Sequence, residues 1–177
     1  MTFHVLQADR RQSMAHPLHD RPAALTVLLP PGGPIDDDLG LAWTWTGENE
    51  PPDLVRTVDR IRVFSARTRE VIDAHLGRAD QVQWLPCELQ VGGNTADGGW
   101  AVPHFPVVFD VLSEELTTWG PSGLPIRWVL SKNKCQGHSV FALHGVQGQT
   151  IVAEPLLAAL LEAGITGIAA EPARVDR

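Results

Sequence analysis

The stretch Ile151-Val-Ala-Glu154-Pro155-Leu-Leu-Ala-Ala-Leu160-Leu161-Glu-Ala-Gly164-Ile-Thr-Gly-Ile168-Ala-Ala-Glu-Pro172 decides the fold class. Pro155 sits at a first helical position, where its missing N–H would have had no partner anyway, and Glu154 precedes it. Leu156, Leu157, Leu160 and Leu161 recur on one helical face, so the spacing predicts a helix over 155–163 that packs a leucine stripe against a sheet. Gly164 stops it, and Ile165-Thr-Gly-Ile168 turns into a closing strand. The middle of the chain echoes this order. Val63-Phe-Ser65 reads as a strand end, Ser65 accepts from the free N–H groups that open a helix over 66–76, Gly77 ends it, and Val82-Gln-Trp-Leu-Pro86 follows as a strand. Pro86 cannot donate to a ladder and belongs at an edge or bulge. The echo implies a duplicated strand–helix–strand unit.

Around these units the pattern is one of short strands and turns. Residues 25–29, 100–105, 107–112, 126–130 and 140–143 have strand character, and residues 92–99 read as a hairpin loop because Gly and Asn accept positive φ cheaply. Many short strands with two convincing helices predict a single α+β domain built on a mainly antiparallel sheet. Residues 1–22 are polar, without sustained periodicity, and read as a partly ordered arm before a domain at 23–177.

The chain has 177 residues, enough to bury about 70% of its unfolded surface, and 44% of them are hydrophobic. Fourteen basic residues against 21 acidic ones give a formal charge of −7. A nucleic-acid partner is not expected from that balance, because phosphate tracking needs a basic face. No apolar run approaches the roughly 20 residues that span a bilayer, no leader pattern is visible, and two cysteines make no disulfide framework, so a reducing cytoplasm is the expected compartment.

Reactive residues are few and badly spaced. Cys135, His138 and His144 match no closed zinc signature, and neither a metal nor a cofactor is expected. Cys135 with His104 or His144 supplies the residue types for thiol catalysis, yet nothing local brings a third orienting group. Cys87 follows Pro86 in an apolar strand and reads as a small buried hydrophobe. The chain carries no catalytic glycine-rich or paired-carboxylate motif, and no catalytic residue is assigned.

The order Val63-Phe-Ser65, helix, Val82-Gln-Trp-Leu-Pro-Cys-Glu-Leu89, glycine-rich hairpin, Trp100 to Phe105, Asp110-Val-Leu-Ser113, His138-Ser-Val-Phe141, Ile151-Val-Ala-Glu154 and Leu161-Glu-Ala-Gly-Ile-Thr-Gly-Ile168 resembles one family. It is the eleventh class of bacterial polymorphic-toxin immunity proteins, Imm-eleven, formerly described as a domain of unknown function. The resemblance covers roughly residues 50–172, and departs from the family where its hairpin's aromatic pair is here Trp100 with Ala101. It implies a stoichiometric inhibitor of a cognate toxin domain with no catalytic residues to carry over. Two other readings stay open: a small-molecule enzyme using His104, His138, His144 and Cys135, and an accessory interaction protein without a toxin partner.

An acidic binder suits a basic toxin surface, since opposite potentials steer encounter. Seven acids lie between Pro31 and Arg60 against the two arginines Arg56 and Arg60. The partner surface is therefore expected on Asp36, Asp37, Asp38, Glu48, Glu50 and Asp53, with Trp43 or Trp45 as an apolar anchor. The bland reading makes the acids a solvated turn and the tryptophans core, as such residues usually are.

Overall fold

The computed structural model describes residues 2–18, 33–35, 39–143 and 149–177. The first seven elements are β1 (Phe3–Ala8), β2 (Ala15–Pro17), β3 (Leu41–Trp45), β4 (Leu54–Arg56), β5 (Arg62–Phe64), α1 (Ala66–Ala74) and β6 (Gln83–Val91). There follow β7 (Asn94–Thr95), β8 (Ala101–His104), β9 (Thr118–Trp119), β10 (Pro125–Arg127), β11 (Val140–Ala142), β12 (Thr150–Ala153), α2 (Glu154–Glu162) and β13 (Ile168–Pro172). One sheet runs β2-β3-β6-β8-β5-β4 with β7 hairpinned onto β6, a second runs β11-β12-β1-β13, and β9 pairs with β10 alone. Every ladder between named strands is antiparallel except β3 with β6. The chain is an α+β domain.

Both helices form for the reasons their sequences give. Ser65, extended at φ −67° and ψ 160°, accepts from the Thr68 N–H at 3.2 Å and so caps α1. α2 has no side-chain cap. Pro155 in its first turn and the Glu154 carboxylate near its positive end serve instead. Gly164 leaves α2 at φ +66°, the left-handed exit expected of it. Gly77 acts differently from the expected helix stop. α1 has already ended at Ala74, and a Cβ on Gly77 would lie 2.0 Å from the Gly137 carbonyl oxygen, so close approach is what requires glycine.

The duplication is present register by register. Phe64 of β5 pairs with Ala101 of β8, and Val152 of β12 pairs with His4 of β1. Pro86 pairs with the same Ala101, and Pro172 with the same His4. The Cys87 N–H donates to the Trp100 carbonyl at 3.0 Å, and the Ala173 N–H to that of Phe3 at 2.8 Å. Beyond the named strands the match continues: Trp43 faces Leu89 in parallel and Leu130 faces Val175 in parallel, while Pro17 opposes Trp43 and Leu112 opposes Leu130. The expected strand over 107–112 is thus reduced to that bridge at Leu112.

Two tandem repeats follow from this list, residues 3–91 and 100–177, and their first strands are exchanged. β1 lies in the sheet of the second repeat, between β12 and β13, and β8 lies in the sheet of the first, between β5 and β6. The N-terminal arm expected over residues 1–22 is therefore a mistaken reading for residues 3–8. Phe3, Val5, Leu6 and Ala8 are buried, and the strand is interior to its sheet, because remote partners at 150–153 and 168–172 supply both of its ladders.

A bridge between Ala15 and Thr57 joins β2 to the chain just after β4 and closes the first sheet into a small barrel. Its interior holds Trp43, Trp45, Val63, Leu89 and Val102. Phe3, Leu130, Phe141 and Ile151 form the corresponding core of the second repeat. Between the two, α1 and α2 share a third core with the opposite sheet faces, through Leu6, Phe64, Ile72, Val152, Leu156 and Leu160. Leu161 departs from the predicted stripe. It is 60% exposed, since α2 buries only the side facing α1 and the sheets.

Two matching joints lock the repeats. The Asp53 N–H donates to Thr166 Oγ1 at 3.0 Å and the Leu54 N–H to the Thr166 carbonyl at 3.1 Å. At the equivalent place the Ser139 and Val140 N–H groups donate to Asp80 Oδ2 at 2.8 and 3.1 Å. The Asp80 side chain is fully buried, and it also accepts from the Gly77 N–H at 2.6 Å and from His138 Nδ1 at 3.0 Å.

Candidate functional site

The repeats differ most at one end of each sheet, where β3, β5 and β6 begin in the first repeat. There the segment Gly33–Pro34–Ile35 lies across the sheet. His104 Nε2 bonds the Gly33 carbonyl at 2.9 Å, and the Gln83 amide takes both backbone groups of Ile35, at 2.8 Å for the N–H and 2.6 Å for the carbonyl. Ile35 and Leu39 pack against the barrel core.

Among the described residues, no segment lies across the equivalent end of the second repeat. Gln7 stands where the register places His104, and Ala169 where it places Gln83. A groove of about 600 Å³ results, with an apolar floor at Val5, Trp128 and Pro172. Its polar lining is Gln7, Arg127, Gln149, Glu171 and Arg174. Glu171 reaches Arg10 at 4.0 Å, whereas the Arg127 and Arg174 guanidinium groups have no ion pair among the described residues, and Gln149 Oε1 is buried without a hydrogen-bond partner.

The hairpin β9–β10 borders this groove through Ile126, which is 70% exposed. Leu116, Trp119 and Leu124 are exposed beside it in sequence, so this segment gathers more uncovered apolar side chains than any other described stretch. The Gly120 N–H donates to the Leu124 carbonyl and Gly123 takes φ +75°, which builds a tight turn that presents the side chains before and after it.

The residues singled out from the sequence fall elsewhere. Trp43 and Trp45 share one side of β3, as read, but both are buried and cannot anchor a partner: Trp43 Nε1 donates to Asp59 Oδ2 at 3.2 Å and Trp45 Nε1 to the Asn49 carbonyl at 2.7 Å. Asp53 is spent on the joint, accepting from Ser65 Oγ and from both donors of Thr166. Burial pushes its carboxyl up, yet those hydrogen bonds and the nearby Arg67 outweigh burial and hold it below the ordinary carboxylate range. Glu48 and Glu50 are exposed. Asp36, Asp37 and Asp38 lie outside the described residues, as do the expected strand over 25–29 and His144.

The groups proposed for thiol or histidine chemistry do not converge on the groove. Cys135 is fully buried with its Sγ 3.9 Å from the Val111 carbonyl, and burial pushes its thiol up to about 12. Burial does the same for Cys87, also to about 12. His104 is bound to Gly33, and His138 is held by Asp80 between the rings of Phe109 and Phe141. Among the described residues no three His, Cys, Asp or Glu side chains gather as a metal site requires, and no helix is long and apolar enough to cross a membrane.

Reading the sequence missed the groove and hairpin. One signal for the hairpin was present: Trp119 and Leu124-Pro-Ile126 flank Gly120-Pro-Ser-Gly123, a turn with apolar residues on both sides. Arg127, Arg174 and Gln7 carry no local signal, because strand exchange brings them together from three distant segments. Compared with protein-family models and with curated proteins, the chain matches none of them.

Proposed function

We propose that this chain is an immunity protein that binds and neutralises a cognate bacterial toxin domain by stoichiometric occlusion in the cytoplasm. What supports the reading is the division of labour among side chains. Among the described residues, the groups weighed for thiol or histidine chemistry, Cys135, His104 and His138, are buried and held, whereas apolar side chains and guanidinium groups without an ion pair line or border a groove. Such a surface suits recognition and covering of a partner. The order of elements that resembles Imm-eleven supplies the toxin as the partner, and the formal charge of −7 favours encounter with a basic one.

The test is co-expression with the product of the adjacent open reading frame. The reading requires that the neighbour alone arrests growth, that this chain restores it, and that the two elute as an equimolar complex. Restored growth without a complex, or a complex with a harmless partner, would replace neutralisation by an accessory role.

A further inference from the structure

We propose that the groove of the second repeat takes a short linear segment of the partner protein, with an apolar side chain on the floor and a carboxylate toward Arg127 and Arg174. The occupant is argued from the molecule itself. The strands flanking the helix and the exchanged strand between them have the same register in the first repeat, and there the equivalent place is filled by the chain's own Gly33–Pro34–Ile35, held through backbone groups by His104 and Gln83. That segment shows what this end of the fold accommodates: backbone bonded by a side-chain amide and an imidazole, with an isoleucine packed against the core.

In the second repeat Gln7 replaces His104 and can bond a backbone carbonyl as the histidine does. Gln149 also lines the groove, and its buried Oε1 has no hydrogen-bond partner. Val5, Trp128 and Pro172 give the apolar floor. Arg127 and Arg174 set the charge: they line the groove with no ion pair among the described residues, and the one glutamate of the lining, Glu171, is already near Arg10, so a carboxylate on the incoming segment completes the site. The exposed Ile126 and the hairpin behind it extend the contact beyond the groove. This proposal rests on reading the chain as a neutralising binder and names the surface through which it binds.

The experiment selects phage-displayed random linear peptides on the full chain, then measures the enriched peptides by fluorescence polarisation. The expected result is a shared pattern of an acidic residue next to an apolar one, with binding at least about tenfold weaker to Arg127→Glu/Arg174→Glu and unchanged to Glu48→Lys/Glu50→Lys. Ile126→Ser, at a 70% exposed site where folding is not at stake, should weaken the same peptides if the double variant fails to fold. No enrichment, or peptides indifferent to all groove variants, overturns the proposal. A wild-type dimer that Arg127→Glu/Arg174→Glu dissociates also overturns it, because the occupant is then a second copy. With the adjacent gene's product as probe, a wild-type chain that fails to bind refutes neutralisation, whereas one that binds equally well after groove substitution refutes the groove alone.

Discussion

Replacing Asp80 by alanine should be among the most damaging single changes in this fold. The carboxylate is fully buried and accepts four hydrogen bonds, from the backbone N–H groups of Gly77, Ser139 and Val140 and from His138 Nδ1. Alanine removes the acceptor and strands those donors in a place water does not reach. A buried donor left without a partner costs about 1–3 kcal/mol, and with partial relaxation the three backbone groups together give about 3–6 kcal/mol. For a chain of this size that corresponds to a fall in melting temperature of about 6–24 °C. Asp80→Asn retains one oxygen for the backbone donors, and its amide can donate to the neutral His138 ring, so it should cost about 1–2 kcal/mol. Asp53→Ala, at the equivalent joint, should fall between, since that side chain is 15% exposed and water can replace part of what is lost. Urea denaturation and calorimetry read all three. A loss below about 1 kcal/mol for Asp80→Ala would refute the account of Asp80 as the lock between repeats.

Truncating the fully buried Leu160 to alanine should cost about 2–5 kcal/mol, while Leu161→Ala on the exposed side of the same helix should stay within about 0.5 kcal/mol, both read by urea denaturation. The Asp53 carboxyl is held below its unfolded value, so its contribution to stability is present above about pH 4 and is lost as pH falls through the folded value; Asp53→Asn should flatten that part of the acid limb in a pH series of melting temperatures. With both thiols raised to about 12 by burial, a thiol-reactive disulfide at about pH 8 should label the native chain far more slowly than the urea-unfolded chain. Prompt labelling of Cys135 in the native state would contradict its placement.

How much of this was legible in the sequence depended on how local each signal was. The helices, the Ser65 cap and the Gly164 exit depend on neighbours a turn away, and they read correctly to within a residue or two. Pro86 was read as an edge or bulge residue for a sound reason. The N–H of Cys87 points to β8, so the nitrogen of Pro86 points to the other side, where β3 starts only at the level of Cys87. β1 was missed because Phe3-His-Val-Leu-Gln-Ala8 alternates imperfectly and its partners are more than a hundred residues away. The acidic segment misled for a different reason. Charge concentration in sequence says nothing about which carboxylates are consumed inside the fold, and Asp53 and Asp59 are both consumed, by Thr166 and by Trp43.

Strand exchange explains why the candidate groove is legible only in three dimensions, and why it is in the second repeat. In each repeat the strand between the two flanking a helix comes from the start of the other one, so neither sheet is complete without a segment from the opposite half. The arrangement makes the two ends of the molecule equivalent in register but independent in what covers them. Gly33–Ile35, between β2 and β3 in the chain, lies across the end of its own sheet. The matching connection in the second repeat instead forms the β9–β10 hairpin, and among the described residues none lies across that sheet end. One backbone register thus carries two arrangements: the first copy satisfies its polar edge internally through Gly33 and Ile35, and the second sets Gln7, Arg127 and Arg174 around a groove, the surface on which the docking proposal rests.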